Sequence, residues 1–296
     1  MPSECTEMFY FFERQMNTGR DRSSGWRHAK LSGHENEADV EKMFADKGFC
    51  ESFAQRLGVG SIVSAGVGGL YETSVASVLG GKTKSKTDLR LNIEDGSVVN
   101  ISIKKSWGGQ VYLIDVDRFI EGFQHHFRDI VPDGIRELLH IYFYGSARTE
   151  ALLGQPEIVK GQSPRLIEYQ REHNRLVWKS LCRMDAAGAE SLLCWFMDNI
   201  GKVADFCFSR GLAEEPSEWA DYVWYVNLLG EEDMDVIFPV KDICKAVAEN
   251  SKQVQPTRRN GGSTILLPFG FVQWHQAKMQ FHHSLGKLLD IVEGQR

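Results

Sequence analysis

SKTDLRLNIEDGSVVNISIKKSWGGQ, residues 85–110, is the stretch on which the fold turns. From Asp88 to Ile93 polar and apolar side chains alternate, with Asp88, Arg90 and Asn92 on one face and Leu89, Leu91 and Ile93 on the other. That period is a strand's. Glu94-Asp95-Gly96 supplies turn chemistry, and the chain resumes as Val98 to Lys105, with Asn100, Ser102 and Lys104 on one face and Val99, Ile101 and Ile103 on the other. A hairpin of this register sets Asp88 opposite Ser102 and Lys104.

An acid facing a lysine across a hairpin suits metal-dependent hydrolysis of a phosphodiester. A hard cation such as Mg2+ takes oxygen ligands, and it needs few protein carboxylates because phosphate and water complete its shell. Asp88 would anchor the cation. Lys104 would orient or help deprotonate the attacking water and stabilise charge on the phosphate, with Ser102 in the slot between. The competing reading is an ordinary cross-strand ion pair on a solvated face.

The pattern resembles the PD-(D/E)XK nuclease superfamily, in particular type II restriction endonucleases: Asp88, thirteen intervening residues, then Ser102-Ile103-Lys104. The resemblance implies that Asp88 and the carbonyl of Ile103 ligate the metal and that Ser102 and Lys104 belong to the catalytic set. It implies Mg2+ as cofactor, with Mn2+ as a substitute. Two departures stand out. Thr87 occupies the place of the family's Pro, and Ser102 replaces the second acid and brings no charge. Family members with this substitution borrow a carboxylate from a preceding helix, which makes Glu35 and Glu37 the candidate ligands, Glu35 also a candidate catalytic residue.

The segment around those acids reads as a helix without the family. Ser32 can cap it with Glu35 three positions on, and its first turn is acidic. Val40, Met43, Phe44 and Phe53 supply an apolar stripe over about 35–57. Successive helical residues turn by about 100°, so Glu35 and Glu37 point in different directions and one at most reaches Asp88. Both also make sense as capping and solubilising charges.

Lys82, Lys84, Lys86, Arg90, Lys104 and Lys105 concentrate six cations in this stretch, against Asp88, Glu94 and Asp95. Local positive charge around an acidic metal site is what a phosphate backbone favours. Lys84, Lys86 and Lys105 are therefore candidate DNA contacts. Gln110, after Ser106-Trp107-Gly108-Gly109, is placed to meet a phosphate or a base edge, or is an ordinary loop residue. Arg258 and Arg259, in the basic loop Val254 to Ser263, are candidates for guanine recognition, or they decorate a surface hairpin.

The whole chain is no general polyanion binder: 34 basic and 40 acidic residues leave a net charge of −6, so contact with nucleic acid must be local. Hydrophobic content of 42% and charged content of 25% describe a globular protein. Six cysteines, Cys5, Cys50, Cys182, Cys194, Cys207 and Cys244, show neither a CxxC pair nor ligand spacing, so no zinc ribbon or disulfide framework is expected. The first residues lack the cationic start and apolar run of a signal peptide and no segment approaches eighteen apolar residues, which leads us to expect a cytoplasmic protein without membrane contact, and the resemblance implies a prokaryotic one.

Along the chain, a helix, the hairpin, a strand over Val111–Val116 and an amphipathic helix through Phe119, Phe123 and Phe127 follow in the order the resemblance implies. The expected fold is α/β: a restriction-endonuclease-like core with a mixed central β-sheet flanked by helices, plus a largely helical insertion. One nuclease domain spans 1–296, its core at about 33–130 and 254–296 and the helical region at about 133–250. Within that region Ile135–Phe143, Leu166–Met184, Ala189–Phe208 and Trp219–Leu229 show helical spacing, and Arg171, Arg175 and Lys179 recur every four residues on one helix face. That face lies against DNA phosphates or is a solvated surface. Thr264 to Leu267 reads as a strand. His275, His282 and His283 lack the partners of a stable metal site, and with Phe271, Trp274 and Phe281 around them they read as packed or substrate-facing.

Two functions are compatible with these features. The first is a Mg2+-dependent type II restriction endonuclease cutting double-stranded DNA at a short site, a homodimer with a cognate DNA methyltransferase as genetic partner. The second is a noncatalytic or structure-specific DNA-binding or repair protein that keeps the nuclease fold, for which Ser102 is the motive.

Overall fold

The computed structural model describes residues 35–67, 74–144, 177–229, 234–257, 263–275 and 278–294. Two five-stranded sheets organise the chain. The first has strand order β1 (Ile62–Val67), β4 (Leu89–Ile93), β5 (Val98–Lys104), β7 (Tyr222–Val226) and β8 (Asp235–Pro239). The second has β6 (Gly108–Asp115), β12 (Lys278–Ser284), β11 (Gly270–His275), β10 (Thr264–Leu267) and β9 (Gln255–Pro256), and a small ribbon pairs β2 (Ser74–Ala76) with β3 (Lys82–Lys84). The architecture is α/β, with a mixed five-stranded sheet flanked by helices.

The β4–β5 hairpin forms in the register its alternation predicts, with Leu89 against Ile101 and Arg90 against Asn100. Asp95 and Gly96 close it: the Asp95 carboxylate accepts from Ser97 N at 2.8 Å, and Gly96 takes a φ of 83°, a left-handed conformation open to glycine. β5 is buried on both faces because β4 and β7 flank it and cores lie above and below. On one side Leu89, Leu91, Ile101, Ile103 and Trp224 pack with Val40, Phe53 and Leu57 of two helices, residues 35–43 (α1) and Lys47–Leu57 (α2). The single helix expected over about 35–57 is thus two. Asp46 ends the first run by capping α2, its carboxylate accepting from Phe49 N at 2.7 Å, and the bend lets Phe44, Phe49 and Phe53 close on one another.

A second correction concerns Trp219–Leu229, expected to be helical. Tyr222–Val226 is instead a central strand, parallel to β5, so residues 133–250 also contribute β7 and β8 to the first sheet. An unbroken apolar run of aromatic and β-branched residues fits a doubly covered strand as well as a helix. Its partner lies about 120 residues earlier, with Ile101 opposite Tyr222. Because β7 occupies that edge, the strand after Lys104 leaves the first sheet and pairs with β12.

The larger core joins the second sheet to the helices α3 (Val116–Phe127), α4 (Asp133–Leu139), α5 (Trp178–Met184), α6 (Ala186–Asp205), α7 (Val240–Glu249) and α8 (Leu285–Val292). Phe119 of α3 sits between Phe206 and Phe281, with ring centroids 5.4 and 5.5 Å away. The five described cysteines carry free thiols. No helix among the described residues is long and apolar enough to cross a membrane.

Gly270, at the β10–β11 turn, admits no side chain. A Cβ there would lie 2.0 Å from the His282 carbonyl oxygen, a contact with backbone that cannot yield cheaply. Gly270→Ala should therefore destabilise the protein by about 3 kcal/mol through overpacking, read as a lowered urea midpoint. An unchanged midpoint would show that the β11–β12 pairing is looser than described.

Candidate metal and phosphate site

The polar face of the hairpin divides into two ends. At the lower end Arg90 and Asn100 are absorbed by structure: the Asn100 amide donates to Ser217 O and Trp219 O at 2.9 and 3.0 Å, and Arg90 meets Glu218 at 3.0 Å. These bonds hold the short 3-10 turn Pro216–Glu218 that leads into β7. Thr87 joins them, its hydroxyl donating to Glu218 O at 3.3 Å.

The upper end carries Asp88, Ser102 and Lys104. Asp88 Oδ2 accepts from Ile103 N at 2.7 Å and from Ser102 Oγ at 3.0 Å. Lys104 Nζ donates to the same Ser102 oxygen at 2.6 Å and to the Ile103 carbonyl at 3.0 Å, and lies 3.8 Å from Asp88 Oδ2. A hydroxyl offers one donor and two lone pairs. Ser102 uses its donor on the carboxylate and a lone pair on the ammonium, and so fixes both partners without adding charge. It is buried, whereas Asp88 and Lys104 remain partly exposed.

Glu37 completes the group. Burial, then the negative charge of Asp88, pushes its carboxyl up to about 8, and Lys104 acts in the opposite sense. Glu37 therefore stands in the field of both residues. Glu35 is exposed and does not share that environment. What holds Glu37 there is its neighbour Asn36, a fully buried side chain whose amide donates to Val226 O at 3.0 Å and accepts from Leu228 N at 2.8 Å. The start of α1 is thereby fastened to the end of β7, next to the strand that carries Lys104. Sequence reasoning missed Asn36. A lone Asn in an acidic helical turn gives no hint that its amide is spent on a distant backbone.

Lys86 turns inward. Its ammonium donates to Val111 O at 3.1 Å and lies 3.8 Å over the Tyr112 ring, and burial lowers it to about 7. Lys84 is exposed on the β2–β3 ribbon, Lys105 is partly exposed, and Gln110 is exposed on β6, where its amide oxygen accepts from Gln280 at 2.8 Å. Arg258 and Arg259 lie outside the described residues, as do Arg171 and Arg175; Lys179 is exposed on α5. His283 is buried beside the site, with Tyr225 Oη at 3.0 Å from Nδ1. Burial and then Lys104 lower it to about 3, so it is neutral at pH 7.

Among the described residues no group of three or more His, Cys, Asp or Glu gathers as a metal cluster. The Asp88 carboxylate and the Ile103 carbonyl both lie beside the Lys104 ammonium, with Glu37 in the field of Asp88 and Lys104, and oxygen donors of this kind suit a hard cation whose remaining ligands are water and phosphate. Burial first, and then the Asp88 charge, raises the Glu37 carboxyl, and a bound cation would act in the opposite sense. The residues fit a divalent cation.

No family model matches the sequence. No curated protein matches it. Among solved structures the chain is similar to the restriction endonuclease MspI in complex with its cognate DNA, at a TM-score of 0.45 and 16% identity, covering 80% of this chain and 77% of that one.

Asn36→Ala should destabilise the fold by about 2 kcal/mol, because it strands the buried Val226 carbonyl and the part-buried Leu228 N–H; a urea midpoint within error of the parent would show that Asn36 is no clamp. Glu37 gives a pH test. Its folded-state value lies above its unfolded one, so the stability it contributes is complete below about 4.5 and is lost as pH rises towards about 8. Glu37→Gln should accordingly leave stability unchanged at pH 4.5 and raise it at pH 8 by on the order of 1–2 kcal/mol, a value discounted for partial exposure. A variant less stable at pH 8 would contradict the placement of Glu37.

Proposed function

We propose that this protein is a divalent-metal-dependent endonuclease that hydrolyses phosphodiester bonds of double-stranded DNA at a short specific sequence, as type II restriction enzymes do. One observation supports the reading: Asp88, Ser102, the Ile103 carbonyl and Lys104 are joined at one partly open end of the central hairpin, with Glu37 in the field of Asp88 and Lys104. An exposed ion pair would need neither the buried Ser102 bridge nor a second carboxylate held at a raised value.

A cation held by Asp88, Glu37 and the Ile103 carbonyl would neutralise phosphate charge and lower the pKa of the attacking water. The chain's own residues set the geometry. The Ile103 N–H and the Ser102 hydroxyl fix one Asp88 oxygen and leave the other for a ligand. Lys104, steered by Ser102, presents an ammonium to the scissile phosphate, where it offsets charge that grows in the transition state and can donate to or orient water. Glu37 must lose its proton before it can act as a ligand, so metal binding would release a proton and strengthen as pH approaches about 8.

Mg2+ is the expected cation and Mn2+ its substitute. Exposed Lys84 and Lys105 are suited to phosphates, and Arg258 and Arg259 remain proposed base contacts. Two copies related by a twofold axis would cut both strands of a palindrome, and a methyltransferase of the same specificity would protect the host's own DNA.

Incubation with plasmid or phage DNA and Mg2+ should yield discrete fragments. Asp88→Ala, Lys104→Ala and Glu37→Ala should each slow cleavage on the order of 10²- to 10³-fold, while Glu35→Ala should cleave like the parent. Full activity in both Asp88→Ala and Lys104→Ala would remove this site. Sensitivity to Glu35→Ala but not to Glu37→Ala would exchange the two acids.

A further inference from the structure

The outer face of the second sheet carries a row of paired amides. Gln280 Nε2 donates to Gln110 Oε1 at 2.8 Å, and Gln273 Nε2 donates to Gln280 Oε1 at 2.9 Å, so three adjacent strands, β6, β12 and β11, are bridged side by side. Gln273 also lies 3.5 Å from His282 Nε2, and that imidazole stacks on Phe271 at 4.4 Å with 12° between the planes. Each amide has two N–H donors and two acceptor lone pairs. A side-to-side link occupies part of this capacity and fixes the rotamers, which leaves oriented donors and acceptors on a partly exposed face.

The surrounding charge is one-sided. No Asp or Glu stands between Glu249 and Asp290, although the chain holds 40 acids in 296 residues. The carboxylate that β6 adds to this sheet is Asp115, which pairs with Lys278 at 3.7 Å. A solvated sheet face in an acidic protein would ordinarily carry its share of carboxylates. The second sheet meets the candidate site through its buried side: Lys104 is opposite Tyr225 in the β5–β7 register, and Tyr225 binds His283, whose neighbour His282 turns to the outer face.

We propose that this face reads base edges of duplex DNA, with Gln110, Gln280 and Gln273 as its reading row. The amide is the group that pairs bidentately with the N6 and N7 edge of adenine, and β-strands enter the major groove. A surface without carboxylates avoids repulsion from flanking phosphates. The inference depends on the nuclease reading only for its choice of duplex DNA as the bound molecule.

The test uses full-length protein bearing Asp88→Ala, to keep DNA intact, mixed with a library of randomised duplexes whose retained members are sequenced. A preferred sequence containing adenine is expected. Adding Gln273→Ala or Gln280→Ala should reduce the preference roughly 5- to 150-fold, with affinity for a random duplex within about twofold and the melting temperature unchanged. Gln280→Glu should move the preference at one position from adenine towards cytosine, whose N4 donates to a carboxylate, a change that misfolding cannot mimic. Unaltered preference in folded glutamine variants, or stronger retention of single strands than of duplexes, would overturn the proposal. Preference that disappears with the glutamines in a protein that never cleaves keeps the reader and removes the nuclease. Specific cleavage that survives the same substitutions does the reverse, and no retention of duplex removes both.

Discussion

The parallel pairing of β5 with β7 is the constraint from which the site follows. It sets Lys104 beside Tyr225 and carries the chain one residue further to Val226, whose carbonyl receives the Asn36 amide. Without that pairing α1 would have no polar anchor at this end of the sheet, and Glu37 would have no fixed relation to Asp88. The pairing is itself held from below by Asn100 and Arg90, which bind the turn entering β7. Polar groups on the hairpin thus act in series: the lower ones place a strand, the strand places a helix, and the helix delivers an acid to the upper ones. Most of these groups are buried or half-buried, where each hydrogen bond must be made or its loss is felt.

The neutral Ser102 becomes intelligible within this arrangement. A carboxylate at 102 would lie within hydrogen-bonding distance of Asp88, and with Glu37 already present three negative charges would share a poorly solvated corner with one lysine. Repulsion of that kind raises carboxyl pKa values, and it would add to the burial that already does most to raise Glu37. Ser102 spaces Asp88 and Lys104 and passes a hydrogen bond from one to the other. On the proposed reading a helix would supply, through Glu37, the second acid that a serine at 102 does not.

How much of this was legible depended on range. The hairpin was readable because its period, its Asp95-Gly96 turn and its register are all local. The choice of Glu37 over Glu35 was not, since it depends on Asn36 reaching residues 190 and 192 positions away. β7 was misread as a helix because Tyr222–Val226 has no period when both faces are covered. β11 and β12 do alternate strictly between buried and half-buried, and the pattern Met279, Phe281, His283 against Gln280, His282, Ser284 stood in the sequence. The reading of the histidines as packed or substrate-facing fits His283, which is buried, while the same alternation turns His282 to the half-buried outer face. Lys86 looked like one more phosphate contact. Only tertiary structure shows its ammonium turned onto Val111 O and the Tyr112 ring.

Charge is sorted by element as well as by residue. A protein with a net charge of −6 meets a polyanion at a disadvantage unless its negative charge is kept away from the contact. Here the long interval without acids, Asn250 to Leu289, builds most of the second sheet, and the separate β2–β3 ribbon carries Lys82 and Lys84. The acids that remain near the site, Asp88 and Glu37, are those whose charge a cation can cancel. With Glu37 protonated the Asp88–Lys104 pair is near neutral, and a divalent cation that displaces the Glu37 proton would leave the same surface net positive, so affinity for phosphate would rise with metal. If the protein is the nuclease proposed, coupling of this sort would make backbone binding and readiness for hydrolysis depend on one event, the deprotonation of Glu37 as the cation enters.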